Sequence, residues 1–412
     1  MNSAAPARAS LAYCDARGRI FFDERTRPLA DGGVVRPPLA DELIPAPAGT
    51  VEMVLPGRRP LAGDAVAPRA SERRNALAVA LPAGYTRLLL PAYRADPGAP
   101  PLPLFGYTFA CELDDRLHVA AARTDEHDDW RPRYFARGEL ETAIARRRER
   151  DPGNAVLAQL AVCAREYGCF TAQNVFLERG EAALPVSPTC NARCLGCISE
   201  LDADAGIPSP QRRIDFEATA EALARIALAH LERVPDGVVS FGQGCEGEPL
   251  LRIAAIERAI ERIRGATQAG TVNLNTNGSL PRSLQRAIDA GLQAVRISLN
   301  SFRPHAYAAY YRPLGYALED VLESARIASR AGLRVSLNLL THPGVTDDEQ
   351  EVAAANEFLS SVRVDMVQTR TLNVDPQVYF DAVGRPARPL GMRFALDALA
   401  LRTQLGNFTH TH

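Results

Sequence analysis

From about residue 182 onward, short apolar runs alternate with longer stretches whose apolar positions recur every three or four residues. The runs predict buried strands at 183–186, 238–241, 272–276, 294–299, 334–340 and 365–371. The periodic stretches predict helices at 219–234, 250–263, 281–290, 318–331 and 347–360. In the first of these, Leu223, Ile226, Ala227 and Leu231 share one face. Strands alternating with helices imply a parallel sheet with helices packed on it. Six such units, about 200 residues, make an open (β/α)6 barrel.

Side chains alternate across a strand, and here one face is polar. Asn273, Asn275 and Asn277 share a face, as do Arg296, Ser298 and Asn300, Ser336 and Asn338, and Gln368 and Arg370. Strands of a parallel sheet are usually apolar on both faces, so four polar stripes predict a polar lumen. Left unpaired, each buried group would cost about 1–3 kcal/mol. A bound polar ligand would satisfy them; so would hydrogen bonds among themselves and to water. Arg296 and Arg370 are candidates for a substrate carboxylate or phosphate, with salt bridges inside the barrel as the alternative.

Residues 1–180 read differently, as an N-terminal α+β domain of unknown role. The first hundred are rich in proline and glycine, with a strand-like run at 52–55 and a hairpin at 105–111 and 117–122 across Asp114 and Asp115. Helical patterns follow at 140–150 and 155–167, and no nucleotide-binding or catalytic signature is present. The expected division is 1–180, a barrel over 181–385, and a C-terminal helix and tail over 386–412, with 402–412 frayed and His410 and His412 too distal to assign to a metal.

Composition narrows the function. A net charge of −2 gives no general attraction to nucleic acid or an anionic membrane. The apolar stretch 76–93 is interrupted by Pro82 and Arg87 and alternates like strands rather than a membrane span. The N-terminal residues do not read as a secretory signal, so a reducing, cytoplasmic setting with free thiols is expected. The sequence holds no lysine. That excludes a lysine Schiff base and a phosphate-binding loop ending in Gly-Lys-Ser/Thr.

The chemistry concentrates in one loop. Cys190, Cys194 and Cys197 form a C-x3-C-x2-C run directly after the first predicted strand. Thiolates suit iron–sulfur clusters and zinc, and three ligands to a [4Fe–4S] cluster would leave one iron open. The second strand runs into Gly242-Gln-Gly-Cys-Glu246-Gly247-Glu248-Pro249, the third ends in Thr276-Asn277-Gly278, and the fourth in Ser298-Leu299-Asn300. All lie at the carboxyl ends of strands, where active sites of such barrels gather.

In this order, these elements resemble the radical S-adenosylmethionine (radical SAM) superfamily, over about residues 180–375. Asn338 and the Pro343-Gly344 turn fit as well. The resemblance implies a partial (β/α)6 radical SAM barrel in which Cys190, Cys194 and Cys197 hold a [4Fe–4S] cluster. SAM would chelate the fourth iron and, on one-electron reduction, give methionine and a 5′-deoxyadenosyl radical that abstracts hydrogen from a substrate. Gly247 and Glu248 would hold the SAM amino group, Ser298 and Asn300 its ribose or carboxylate, with Asn338 in the same pocket. A low-potential donor such as flavodoxin or ferredoxin would supply the electron. The family usually has an aromatic residue before the third cysteine; here Gly196 stands there, so adenine packing is expected from Leu195 or Ile198.

Other residues keep two readings at this stage. Cys245, in the ligand turn, is a candidate thiol or a small buried hydrophobe. His342, after the fifth strand, is a candidate acid–base group or structural. Cys163 and Cys169 either bind a second cluster or fill core. Glu246 either contacts substrate or faces solvent. Tyr307, Tyr310, Tyr311 and Tyr316 cover the barrel mouth or pack a helix. No cysteine follows Cys245, which favours small-molecule or cofactor biosynthesis over peptide modification. The rival class is a non-catalytic metalloprotein with a structural zinc or an electron-transfer cluster.

Overall fold

A computed structural model describes residues 7–63, 68–70, 74–125 and 137–409. His410 and His412 lie outside the described residues. The sheet from residue 181 onward has seven strands, one more than the pattern predicted, in sequential order and all parallel. They are Glu181–Leu184, Val238–Phe241, Thr271–Thr276, Ala294–Leu299, Arg334–Thr341, Met366–Thr371 and Gln404–Gly406. The seventh falls in the stretch expected to be a frayed tail. It pairs with the sixth strand, and beyond it the Thr409 hydroxyl donates to Glu181 of the first. That contact requires the sheet to curl, bringing the chain beyond the seventh strand back to the start of the first.

The helices are α1 (Arg137–Arg150), α2 (Ala155–Glu166), α3 (Phe170–Leu177), α4 (Ala220–Arg233), α5 (Ile253–Ala266), α6 (Pro281–Asp289), α7 (Pro304–Tyr311), α8 (Leu318–Arg330), α9 (Glu349–Ser361), α10 (Pro376–Val383) and α11 (Met392–Ala400). Several are capped by side chains: Thr219 accepts from Ala222 N, Asp348 from Gln350 N and Asp375 from Gln377 N. The outward strand residues Val272, Leu274, Val295, Ile297, Val335 and Leu337 are buried and share one apolar core with α4, α5, α6 and α8. Helices α1 to α3 join that same core. Alternation therefore drives one face into the helix layer and leaves the polar face for the lumen.

Residues before 125 form an eight-stranded antiparallel sheet and two three-stranded ones. The 108–113/116–123 hairpin turns at Asp114 and Asp115, both left-handed (φ 51° and 59°), as two-residue hairpins demand. This sheet covers the outer side of the sixth and seventh barrel strands. Thr86 Oγ1 meets Thr369 Oγ1 at 2.5 Å, and Gly84 N donates to Asn407 Oδ1 at 3.1 Å. Arg87, wholly buried, donates to the Leu372 carbonyl at 3.0 Å. Nearby, Arg58 and Asp375 form a buried ion pair at 3.2 Å, and Asp375 also accepts from Leu102 N at 2.8 Å. No helix among the described residues is long and apolar enough to cross a membrane.

Breaking that pair by one partner strands a buried charge. Arg58→Ala is expected to destabilise the protein by about 3–5 kcal/mol, read from the denaturant midpoint. An unchanged midpoint would show that the two parts do not depend on it.

Candidate active site

The loop carrying the three cysteines has no regular structure and is held from three sides. On one side, the 246–248 turn pairs with it: Gly247 N donates to Ser187 O at 2.8 Å and Glu248 N to Thr189 O at 2.9 Å. The approach is so close that a Cβ on Gly247 would lie 2.0 Å from the Thr189 oxygen, so only glycine fits. On the second side lies the end of α7, where Arg193 N donates to Tyr311 O at 3.1 Å and Leu195 N to Tyr310 O at 3.0 Å. On the third, Asn191 accepts from Asn277 Nδ2 and donates to Ser279 Oγ, both at 2.9 Å, at the end of the third strand.

Two buried carboxylates lock this arrangement. Glu246 accepts from Val186 N, Ser187 N and Gln243 N, each at 2.7 Å. Glu248 accepts from Thr276 Oγ1 at 2.5 Å, Asn277 N at 2.8 Å and Leu250 N at 3.0 Å. Burial pushes their pKa values up to about 8 and about 7, against the pull of these donors. Glu246 is thus buried rather than surface-facing; it lines the cavity, and its carboxylate ties the loop to the second strand. The Glu248 carboxylate is likewise engaged within the protein, while residues 247 and 248 line the cavity.

A cavity of about 390 Å³ opens beside the loop. Cys190, Cys194 and Cys197 line one end, Gly247, Glu248, Ser298 and Asn338 the wall, and Arg296 and Arg370 the far end. The thiols sense one another: burial, then the charges of Cys197 and Cys190, hold the Cys194 pKa far above the ordinary range, and burial raises Cys190 to about 11. Among the described residues, no three His, Cys, Asp or Glu side chains converge on a point as one metal ion requires. A cubane binds each thiolate at a separate iron, so three thiols ringing one end of a cavity suit it. Tyr311 Oη, Asn338 Oδ1 and Arg296 Nη2 are buried without partners. Soft donors at one end and unpaired polar atoms along the wall match a cluster with a polar organic ligand beside it.

Other expectations are corrected. Asn300 is fully buried outside the cavity lining, its amide donating to Ala306 O and Tyr379 Oη, both at 3.0 Å. Residue 300 lies one position past the strand end, where alternation stops. Cys245 turns away from the cavity into the core, where its thiol shares a hydrogen bond with Cys163. His342 is fully buried too, its Nδ1 2.9 Å from Pro343 O and its ring 4.6 Å from that of Tyr379. Burial drives its pKa well below 6.5, and it does not reach the cavity. Cys169 sits beside Thr171 Oγ1 at 3.3 Å.

Neither Leu195 nor Ile198 lines the cavity. Tyr310 does, and a Cβ on Gly196 would lie 3.0 Å from its hydroxyl. The absent side chain at 196 and the tyrosine from α7 are therefore complementary. The expectation that the tyrosines cover the barrel mouth holds for Tyr310, whereas sequence reasoning missed Arg213, whose Nη2 lies 3.5 Å from Cys197 Sγ. Its one signal was a pair of arginines between the cysteine loop and α4.

Comparison with known proteins agrees with this geometry. Residues 184–355 match the family model described as the Radical SAM superfamily. The chain is 34% identical over 168 residues to a GTP 3′,8-cyclase of Heliobacterium modesticaldum, covering 40% of this chain and 47% of that one. Molybdenum cofactor biosynthesis protein 1 of Mus musculus is 29% identical over 45% of this chain and 28% of its own length. The FeMo cofactor biosynthesis protein NifB of Klebsiella pneumoniae is 26% identical over 40% and 37%. The chain thus spans half or less of these relatives. Among solved structures, a radical SAM methyltransferase from Sphaerobacter thermophilus aligns at 16% identity and a TM-score of 0.39, over 55% of this chain and 65% of that one.

Gly247→Ala is expected to push the turn off the cysteine loop, at about 1–3 kcal/mol of overpacking. Amide hydrogen exchange should quicken over residues 187–197 and stay unchanged in α8. Unchanged exchange in the loop would show that the turn does not hold it.

Proposed function

Residues 184–355 are a radical SAM domain, and from that premise we propose that the protein is a radical SAM enzyme acting on a small molecule or cofactor precursor. The observation that carries this reading is the shared cavity: three thiols at one end, and a wall of polar groups still lacking partners. Cys190, Cys194 and Cys197 would hold a [4Fe–4S] cluster, and the backbone at Gly247 and Glu248 the amino end of SAM, with Ser298 and Asn338 beside it. Such a cluster with SAM on its open iron supplies one-electron cleavage of the sulfonium and a 5′-deoxyadenosyl radical that takes hydrogen from the substrate.

The chain's own residues bind, orient and exclude water. Glu246 and Glu248 fix the cysteine loop against the strand ends. Tyr310 replaces the aromatic wall missing at Gly196 and packs on the nucleoside. Arg213 sets a positive charge beside one thiolate, and such surroundings tune a cluster's potential. A flavodoxin- or ferredoxin-like donor delivers the electron. All eight cysteines are free, which suits a reducing, cytoplasmic setting. The printed names of the relatives concern GTP and cofactor assembly, which supports a small-molecule substrate over a peptide.

Anaerobic reconstitution should give about four irons per chain and, after reduction with SAM, free 5′-deoxyadenosine. Cys194→Ala should lose both. Zinc instead of iron, or a reduced cluster that leaves SAM intact, would favour a non-catalytic metalloprotein. Tyr310→Ala should weaken SAM binding about 2- to 10-fold at unchanged iron content. Equal affinity would move the nucleoside away from that ring.

A further inference from the structure

The deep end of the cavity carries charge that cluster and SAM binding do not use. Arg296, on the fourth strand, donates from Nη1 to Glu181 Oε1 at 2.5 Å and to Asn275 Oδ1 at 3.2 Å. Its Nη2 is buried and has no partner. Glu181 has little left to offer, because it also accepts from Ser240 and Thr409. Arg370, on the sixth strand, bends toward the same floor and donates from Nη2 to Gln368 Oε1 at 3.0 Å. Among the described residues it forms no ion pair. Glu181 thus pairs directly with one of the two guanidinium groups that line the cavity. Between them, on the fifth strand, Asn338 lines the cavity and pairs in register with Gln368.

Glu181 begins the first strand, and the cysteine loop follows its end at Leu184, about 10 Å further along at ~3.3 Å per residue. Burial, then the charge of Arg296, press the Arg370 pKa down, against the opposing pull of Glu181 and Asp125. Guanidinium forks with free N–H groups in a secluded site match an oxyanion, and they suit a planar or tetrahedral one through paired hydrogen bonds.

We propose that Arg296 Nη2 and the Arg370 guanidinium dock a carboxylate or phosphoryl group carried by the substrate. Naming the ligand as substrate rests on the radical SAM reading; binding of an oxyanion at the floor does not. An anchored anionic end would hold the rest of the molecule pointing up toward the thiol end, where its hydrogen is taken. Arg296 and Arg370 thus divide the labour: one is held by the scaffold and lends a single N–H, the other is free to clamp.

Isothermal titration of the reconstituted full chain tests this, with inorganic phosphate and malonate as probes, each with and without saturating SAM. Binding of phosphate alone identifies a phosphoryl end, of malonate alone a carboxylate end, and of both the shared oxyanion chemistry. In each case Arg370→Met should weaken binding by about tenfold or more. Asn338→Asp, which sets a negative charge on the floor, should do the same, and iron content reports whether either variant has folded. The proposal is overturned if neither probe binds, if both variants bind as the wild type does, or if SAM displaces the probe, since the arginines would then belong to the SAM carboxylate. Anion binding without 5′-deoxyadenosine formation would keep the floor and sink the radical reading; the converse would do the opposite.

Discussion

Two buried carboxylates on either side of one glycine hold the site together. A carboxylate taken out of water is costly unless hydrogen bonds replace its hydration, and Glu246 and Glu248 each gather three donors. Those donors belong to different parts of the chain: the end of the first strand and the cysteine loop for Glu246, the end of the third strand for Glu248. Because Gly247 lies between them and lets the backbones touch, one three-residue turn sets the position of the loop relative to two strands. The thiols inherit their geometry from it.

The sheet then does two jobs with its two faces. Its outward side chains build the helix-covered core, while its inward ones make a graded lumen. At the carboxyl end lie the loop, the turn and Tyr310. Deeper, the ion pair of Glu181 and Arg296 sits among asparagines. The last residues of the chain serve this lumen directly, since Thr409 binds the same carboxylate as Arg296. The N-terminal sheet packs outside the sixth and seventh strands through Thr86 and Arg87, a neighbouring sheet reaches the start of α10 through Arg58, and both stay out of the cavity lining.

Much of this was legible in the sequence because period-2 and period-3.6 patterns are strong in residues 182–371. The polar stripes gave Ser298, Asn338, Arg296 and Arg370 their correct face. What failed did so where periodicity gives no direction. Asn300 follows the last strand residue, Cys245 lies in a turn, and His342 begins a loop, so parity could not orient them. The seventh strand has three residues, too few to show a pattern. Tyr310 was legible as a residue of the barrel mouth or of a packed helix but not as a cavity wall, Arg213 reaches the cavity from a segment whose course depends on tertiary packing, and the roles of Glu246 and Glu248 are set by backbone amides far along the chain.

The central claim is that the three thiols hold a cluster at the cavity's end with one iron open to SAM. The most direct test is the electron paramagnetic resonance spectrum of the reduced, reconstituted protein, recorded before and after SAM is added. The account predicts that SAM changes the g values of the cluster signal. A cluster signal that SAM leaves unaltered, at concentrations where SAM binds, would contradict it.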